Sequence, residues 1–287
     1  MTTEKEQLHG KFRKFCLMCV AAIWASQMFG ETALAQSSID LSKFEMTFSE
    51  EFDGPLSVSP WGPNTRWIAH TPWAGDFGDA QFVDPRLGVF PFTIQDGILR
   101  IEARKNAAGK WESGLLASAD SNGRGFSQQY GYFEMRAKLP KGKGVWPAFW
   151  ISSIADPKSS TSIEIDVLEF YGHFPDRFQS VVHTWYKNPE EKQRAANNPD
   201  PPVHFTIVPT DSLSDSFNDF GVLVEKDFVT FYLNKSEVWR TATPEKLNRP
   251  FLILLNLALG SGWSIDETPN PSHMFVDYVR VYKKREQ

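Results

Sequence analysis

Cysteine is almost missing from this chain. Its 287 residues include two, Cys16 and Cys19, and from residue 36 onward there is none. That excludes a disulfide framework, a thiol nucleophile and a cysteine-ligated zinc from everything beyond the N-terminal segment. Positive charge is also short, since 30 Lys and Arg against 35 Asp and Glu give a formal net charge of −5. Such a balance carries no electrostatic footprint for nucleic acid or for an anionic membrane surface. Gly-rich phosphate loops, internal repeats and low-complexity tails are missing too. No stretch offers four clean turns of amphipathic helix, and only "TPEKLNRP" (243–250) could supply one short one.

The first 35 residues differ from the rest. Lys11, Arg13 and Lys14 precede the apolar run "FCLMCVAAIWA", and Ala33 and Ala35 in "ETALAQSS" follow the small-x-small rule for cleavage before Gln36. The apolar part is too short to span a bilayer, so 1–35 reads as a secretory signal peptide. An uncleaved anchor is the alternative. Export without cysteines fits the bacterial periplasm or the medium outside the cell. Removing 1–35 takes four basic and three acidic residues with it, which leaves 36–287 at −6. That remainder reads as one domain, working as a monomer.

What is present is strand after strand. "GILRIEARK" (97–105), "GYFEMRAKL" (131–139), "SVVHTWY" (180–186), "FGVLVEKDFVTFYLN" (220–234), "FLILLNLAL" (251–259) and "MFVDYVRVYKK" (274–284) alternate or run apolar over short lengths. Asp96-Gly97 and Asn122-Gly123 are turn dipeptides. The pattern predicts an all-β sandwich or barrel. One polar, Pro-bounded segment, "KNPEEKQRAANNPDPP" (187–202), breaks the rhythm as a long loop, either a tolerated insertion or the frame of a binding cleft.

The chemistry concentrates in "SIEIDVLEFYG" (162–172), where Glu164, Asp166 and Glu169 stand among Ile163, Ile165, Val167, Leu168 and Phe170. On a helix the three acids would scatter around the axis. On a regular strand Glu164 and Asp166 share a face and Glu169 points to the other. One extra residue, a β-bulge at Val167–Leu168, returns Glu169 to the face of its partners. Acids crowded on a well-covered strand repel one another and cost stability unless something needs them. Paired carboxylates, one ionised and one protonated, are the equipment of glycoside hydrolysis. A solvated acidic face or a cation site on a structural β-domain is the competing reading, although hard-cation ligands usually come from turns.

These residues also resemble a known family. "YGYFEMRAKLPKGKGVWPAFWI" (130–151) followed by "EIDVLEFYG" is similar to glycoside hydrolase family 16, the laminarinase and lichenase group. "VHTW" (182–185), "FSEEFDG" (48–54) and "FVDYVRVY" (275–282) extend the likeness over nearly all of 36–287. "WESGLLAS" and "GFSQQYGYFEMRAKLP" look most like the bacterial exopolysaccharide-cleaving members, the succinoglycan depolymerase type. The resemblance implies a β-jelly-roll of two curved antiparallel sheets with a concave sugar cleft, an all-β fold. It implies endo-cleavage of a β-1,3/β-1,4-linked glucan or an exopolysaccharide with retention of configuration, and no cofactor for the reaction. Glu164 would be the nucleophile, Glu169 the general acid/base, and Asp166 the group between them that sets their protonation.

The same likeness makes Trp146, Trp150, His183, Trp185 and, in "GSGWS", Trp263 the expected sugar-binding residues. It offers a structural calcium site at Glu51, Asp277 and a backbone oxygen near Gly97. Two departures touch the sugar side. Leu115 in "ESGLLAS" stands where laminarinases usually carry Arg, and "TPWAGDFGDAQF" (71–82) replaces their polar loop. Two further readings stay open here: a non-catalytic carbohydrate-binding jelly roll, and a transglycosylase with the same acids.

Overall fold

Strand formation follows the period-two pattern closely, as the computed structural model shows over residues 37–73, 75–188, 190 and 202–286. The expected signal peptide at 1–35 and most of the 187–202 loop lie outside the described residues. In chain order the strands begin with β1 (Phe44–Glu50), β2 (Val58–Ser59), β3 (Trp67–Ile68), β4 (Gln81–Phe82), β5 (Phe92–Gln95) and β6 (Ile98–Lys105). Next come β7 (Trp111–Ser113), β8 (Leu115–Ala117), β9 (Gly131–Lys138), β10 (Val145–Ser153), β11 (Thr161–Glu169) and β12 (Arg177–Tyr186). The series closes with β13 (Val203–Ile207), β14 (Asn218–Val224), β15 (Phe228–Leu233), β16 (Ser236–Ala242), β17 (Phe251–Leu259) and β18 (Ser272–Lys284). The six strand-like stretches of the sequence fall on β6, β9, β12, β14–β15, β17 and β18. "TPEKLNRP" is a turn rather than a helix; a short α-helix lies at Ser212–Asp215 and a 3-10 turn at Leu41–Lys43.

The Asp96-Gly97 turn works as its chemistry predicts. Both residues have positive φ, +52° and +74°, and Gln95 pairs with Ile98 in the antiparallel β5–β6 hairpin. A two-residue loop of this kind needs the left-handed region twice, which Gly enters at no steric cost and Asp at little.

Two sheets result. One runs β16-β15-β14-β9-β18-β6-β7-β4, with β1 on β18 and β5 on β6; the other runs β13-β12-β11-β10-β17-β8-β3-β2. The pairings are antiparallel except β2–β3 and β4–β7, which are parallel. The sheets are therefore mixed, where the sequence suggested purely antiparallel ones. Both exceptions involve two-residue strands at sheet ends, laid down by the loop-rich stretch between β1 and β5, where no hairpin dictates direction.

The main core lies between the sheets. Phe133 and Met135 of β9 and Val222 of β14 meet Phe149 and Ile151 of β10, Ile163 and Ile165 of β11, and Ile253 and Leu255 of β17. Each such side chain contributes about 1.5–3 kcal/mol by leaving water. The strand β17 is buried on both faces, because Leu252, Leu254 and Ala258 turn the other way into a second apolar cluster with Leu115 and Trp150. That explains its unbroken apolar run. The second cluster forms the floor beneath the functional cleft.

Candidate active site

The register of β11 decides where its acids point. Against β10, Phe149 pairs with Leu168 and Trp150 with Asp166, so Val167 is an extra residue; against β12, Asp166 pairs with Val181 and Glu169 with Gln179. This is the expected bulge at Val167–Leu168. Ile163, Ile165, Val167, Leu168 and Phe170 all enter the inter-sheet core. Glu164, Asp166 and Glu169 are thereby left on the opposite face, where they line one cleft of about 650 Å³.

Neighbouring strands furnish the rest of that cleft. Trp146, Trp150 and Ser152 reach it from β10, His183 and Trp185 from β12, and Leu252 from β17. His183 stands directly across from Glu164 in register, and its Nε2 lies 3.2 Å from Asp166 Oδ2. Its ring stacks on that of Trp185 at 4.9 Å. Glu169 is gripped on three sides. Trp146 Nε1–H and the Tyr171 hydroxyl donate to Oε1 at 3.0 and 3.1 Å, and Gln179 Nε2–H donates to Oε2 at 2.8 Å. Burial and the nearby Glu169 charge push the Tyr171 phenol up, so that hydroxyl keeps its proton and remains a donor.

Crowding and burial reshape the titration of the acids. Burial, then the negative charge of Asp166, pushes Glu164 up to about 8, against the pull of His183 and of a hydrogen bond from Trp185. Burial and the charge of Glu169 raise Asp166 well above its ordinary range. Near neutral pH this set therefore retains a proton, and carboxylate and carboxylic acid coexist in one cleft. A buried carboxyl held near 8 is not ionised by itself at neutral pH. It ionises more readily when Asp166 keeps the shared proton, because the neighbouring negative charge is then gone.

The aromatic expectations divide. Trp146 lines the cleft, stacks on Tyr171 at 5.9 Å and 14°, and also orients Glu169. Trp150 lines the floor but is 5% exposed, with Nε1–H given to Asn256 Oδ1 at 2.8 Å. Trp185 is 51% exposed at the mouth. Trp263 is not among the residues lining the cleft. Its ring packs on His173 and Phe174, at 5.2 and 5.0 Å, on the loop beyond Tyr171.

The side chains expected at the calcium site have other partners. Both carboxylate oxygens of Glu51 are held by Arg280 at 2.8 and 2.7 Å, and Asp277 Oδ2 accepts from Arg136 Nε at 3.0 Å. The oxygens nearest the open side of Gly97 are Asp53 Oδ1 and the Glu51 carbonyl, not the Glu51 or Asp277 carboxylates. Carboxylates neutralised by guanidinium groups are poor ligands for a hard cation. Among the described residues, the one group of acids and His that converges closely enough for a metal is Glu164, Asp166 and His183, within 4.8 Å of one another. The cation reading thus overlaps the catalytic one at Glu164 and Asp166 and leaves Glu169 out.

Several contributors escaped the sequence. Tyr171 sits in the quoted acid stretch, but its bond to Glu169 depends on the bend after the bulge. Gln179 carried no signal, because its partnership is set by the shifted β11–β12 register. Trp73 and Phe77 wall the cleft from the segment singled out as a departure. Phe77 packs on Trp146 at 5.3 Å and on Trp150 at 5.8 Å. Leu115, in place of an Arg, is fully buried in the floor.

The family described as Glycosyl hydrolases family 16 matches residues 91–280. The chain belongs to family 16. Its members are enzymes acting on O-glycosyl bonds, and the acid strand lies inside the matched region. Endo-1,3-1,4-beta-glycanase ExsH of Rhizobium meliloti is 30% identical over 267 residues, covering 85% of this chain and 53% of its own length. The chain thus spans about half of that relative. Beta-glucanase of Rhodothermus marinus is 30% identical over 297 residues, covering 93% of this chain and 95% of its own length. Among solved structures, SCLam, a non-specific endo-beta-1,3(4)-glucanase of the same family, superposes with a TM-score of 0.67 at 24% identity. It covers 87% of this chain and 95% of the other, and it shows the jelly-roll fold.

Proposed function

We propose that this family 16 chain is an exported, retaining endo-1,3(4)-β-glucanase. The observation that carries the reading is the bulge at Val167–Leu168, which sets Glu164, Asp166 and Glu169 on one face of an open aromatic cleft. In this mechanism the Glu164 carboxylate attacks the anomeric carbon while Glu169 gives its proton to the departing glycosidic oxygen. The C1–O bond breaks and a glycosyl ester forms on Glu164. Water, deprotonated by Glu169, then releases the sugar with its original configuration. Asp166, with His183 against it, holds the proton that would otherwise keep Glu164 neutral.

The relatives named as 1,3-1,4-β-glycanase and β-glucanase support a β-1,3/β-1,4-linked backbone. The aromatic wall at Trp73 and Phe77 and the buried Leu115 replace the polar contacts expected of a laminarinase. They favour a bacterial exopolysaccharide as the natural form of that backbone. Residues 36–287 are the catalytic domain in this reading, released by cleavage before Gln36.

The test is a panel of β-1,3, β-1,4, mixed-linkage and succinylated bacterial glycans, with product size and anomeric configuration followed by NMR. Mid-chain cuts with retained configuration are expected, with Glu164→Gln inactive and a chelator without effect. Inverted product or an active Glu164→Gln enzyme sinks the mechanism. N-terminal sequencing of the exported protein checks the cleavage site.

A further inference from the structure

His70 lies apart from the acids, at the base of the aromatic wall. Its ring is 7% exposed and both nitrogens face carboxylates, Nδ1 3.0 Å from Asp76 Oδ2 and Nε2 3.0 Å from Asp84 Oδ1. One face of the ring stacks on Trp61 at 4.3 Å and 11°. A neutral imidazole has a single N–H and satisfies one of these carboxylates; only the imidazolium donates to both. Among the described residues, Asp76 and Asp84 are the charged groups facing the ring, and Trp61 adds a π face suited to a cation.

One carboxylate, Asp76, lies within the segment that walls the cleft, and the other, Asp84, follows that segment. Asp76 Oδ1 also accepts from the Thr71 amide at 3.4 Å and lies 3.3 Å from the Thr71 hydroxyl. That hydroxyl is within reach of the Trp73 and Gly75 carbonyls, at 3.2 and 3.1 Å. Asp76 therefore closes the turn that presents Trp73, and its neighbour Phe77 packs on Trp146 and Trp150. Asp84 ties the far end, just after β4.

We propose that the His70 imidazolium is a positioning residue that clamps the wall formed by Trp73 and Phe77 in its glycan-binding arrangement. Its kinetic consequence rests on the glucanase reading; the clamp itself does not. The hydrogen bond to Asp76, followed by that to Asp84, outweighs burial and raises the His70 pKa above 6.5. A raised pKa in the folded state means the clamp is complete at lower pH and is lost as pH rises through that value.

Two measurements on the whole protein test this. First, imidazole NMR without substrate should show His70 titrating above 6.5, and at lower pH in Asp84→Asn, whose carboxylate is largely exposed and safe to neutralise. Tryptophan emission should change along the same titration in wild type and stay flat in His70→Gln. Second, with mixed-linkage glucan, wild-type KM should rise about three- to tenfold above the His70 pKa, the size of one hydrogen bond of ordinary strength, while kcat stays within about twofold. His70→Gln should show the raised KM at every pH, and Asp84→Asn should move the rise to lower pH. Should His70→Gln fail to fold, Asp84→Asn decides alone.

His70 titrating at or below 6.5, or a KM rise identical in wild type and Asp84→Asn, overturns the proposal. If no glycan is cleaved, the glucanase reading fails. The clamp then stands or falls on the NMR titration and the emission.

Discussion

Trp146 shows how one side chain can belong to two systems. Its ring stacks on Tyr171 and faces the cleft, while its indole N–H holds Glu169 Oε1 at 3.0 Å. An aromatic in a sugar cleft is legible in sequence, because the surrounding "GVWPAFW" marks it. The hydrogen bond is not legible, because it needs the bulge on the neighbouring strand β11. Replacing Trp146 with Phe preserves the ring and removes the donor. Losing a bond of about 1.5–3 kcal/mol to Glu169 in the carboxylate form that deprotonates water should lower kcat about ten- to hundredfold with little change in KM. Steady-state kinetics on mixed-linkage glucan measures this, and an unchanged kcat would remove Trp146 from the positioning of Glu169. His183 was equally readable as a polar neighbour of the acids, yet its contact with Asp166 rather than its registered partner Glu164 is a diagonal that only coordinates reveal.

At the scale of an element, β11 carries the function through its irregularity. The spacing of the acids predicted a bulge from sequence alone, since no regular strand puts positions 164, 166 and 169 on one face. The register against both neighbours places the extra residue at that point. Deleting Val167 should therefore do two things together. Glu169 would swing into the inter-sheet core, where an uncompensated carboxylate costs about 3–5 kcal/mol. Glycan cleavage would cease because the acid no longer reaches the cleft. Urea unfolding and a glucan digest check both; a deletion variant as active as wild type would show that the face does not depend on the bulge. By contrast, the parallel pairings β2–β3 and β4–β7 had no local signature. Two-residue strands between long loops take their direction from whatever edge they meet.

For the molecule as a whole, the acid cluster is a stability liability accepted for its chemistry. Glu164 has a folded-state pKa near about 8, above its ordinary 4.5, so the native state binds more protons than the unfolded chain between those values. Stability conferred by the protonated form is complete below 4.5 and is lost as pH climbs towards 8. Asp166 shifts in the same direction. Neutralising Glu164 as Gln should thus leave the melting temperature unchanged at pH 4.5 and raise it near pH 8. The rise is about 2–4 °C for each kcal/mol of relieved repulsion and desolvation. Calorimetry across that range decides it, and parallel curves for both proteins would mean Glu164 titrates normally in the fold.

The sequence by itself determined the strand content, the apolar run that becomes β17, the Asp96-Gly97 hairpin and the grouping of the three acids. All of these follow from local periodicity and turn chemistry, which neighbouring residues along the chain suffice to specify. Tertiary structure alone decided that Arg280 and Arg136 pair with the carboxylates of Glu51 and Asp277, and that Trp263 packs on His173 and Phe174. It also decided that Trp73, Phe77, Tyr171 and Gln179 complete the site. Those outcomes depend on which strands meet and in what register, and on which charges find each other across the sheets. Residues distant in the chain settle such contacts, and no spacing along it encodes them.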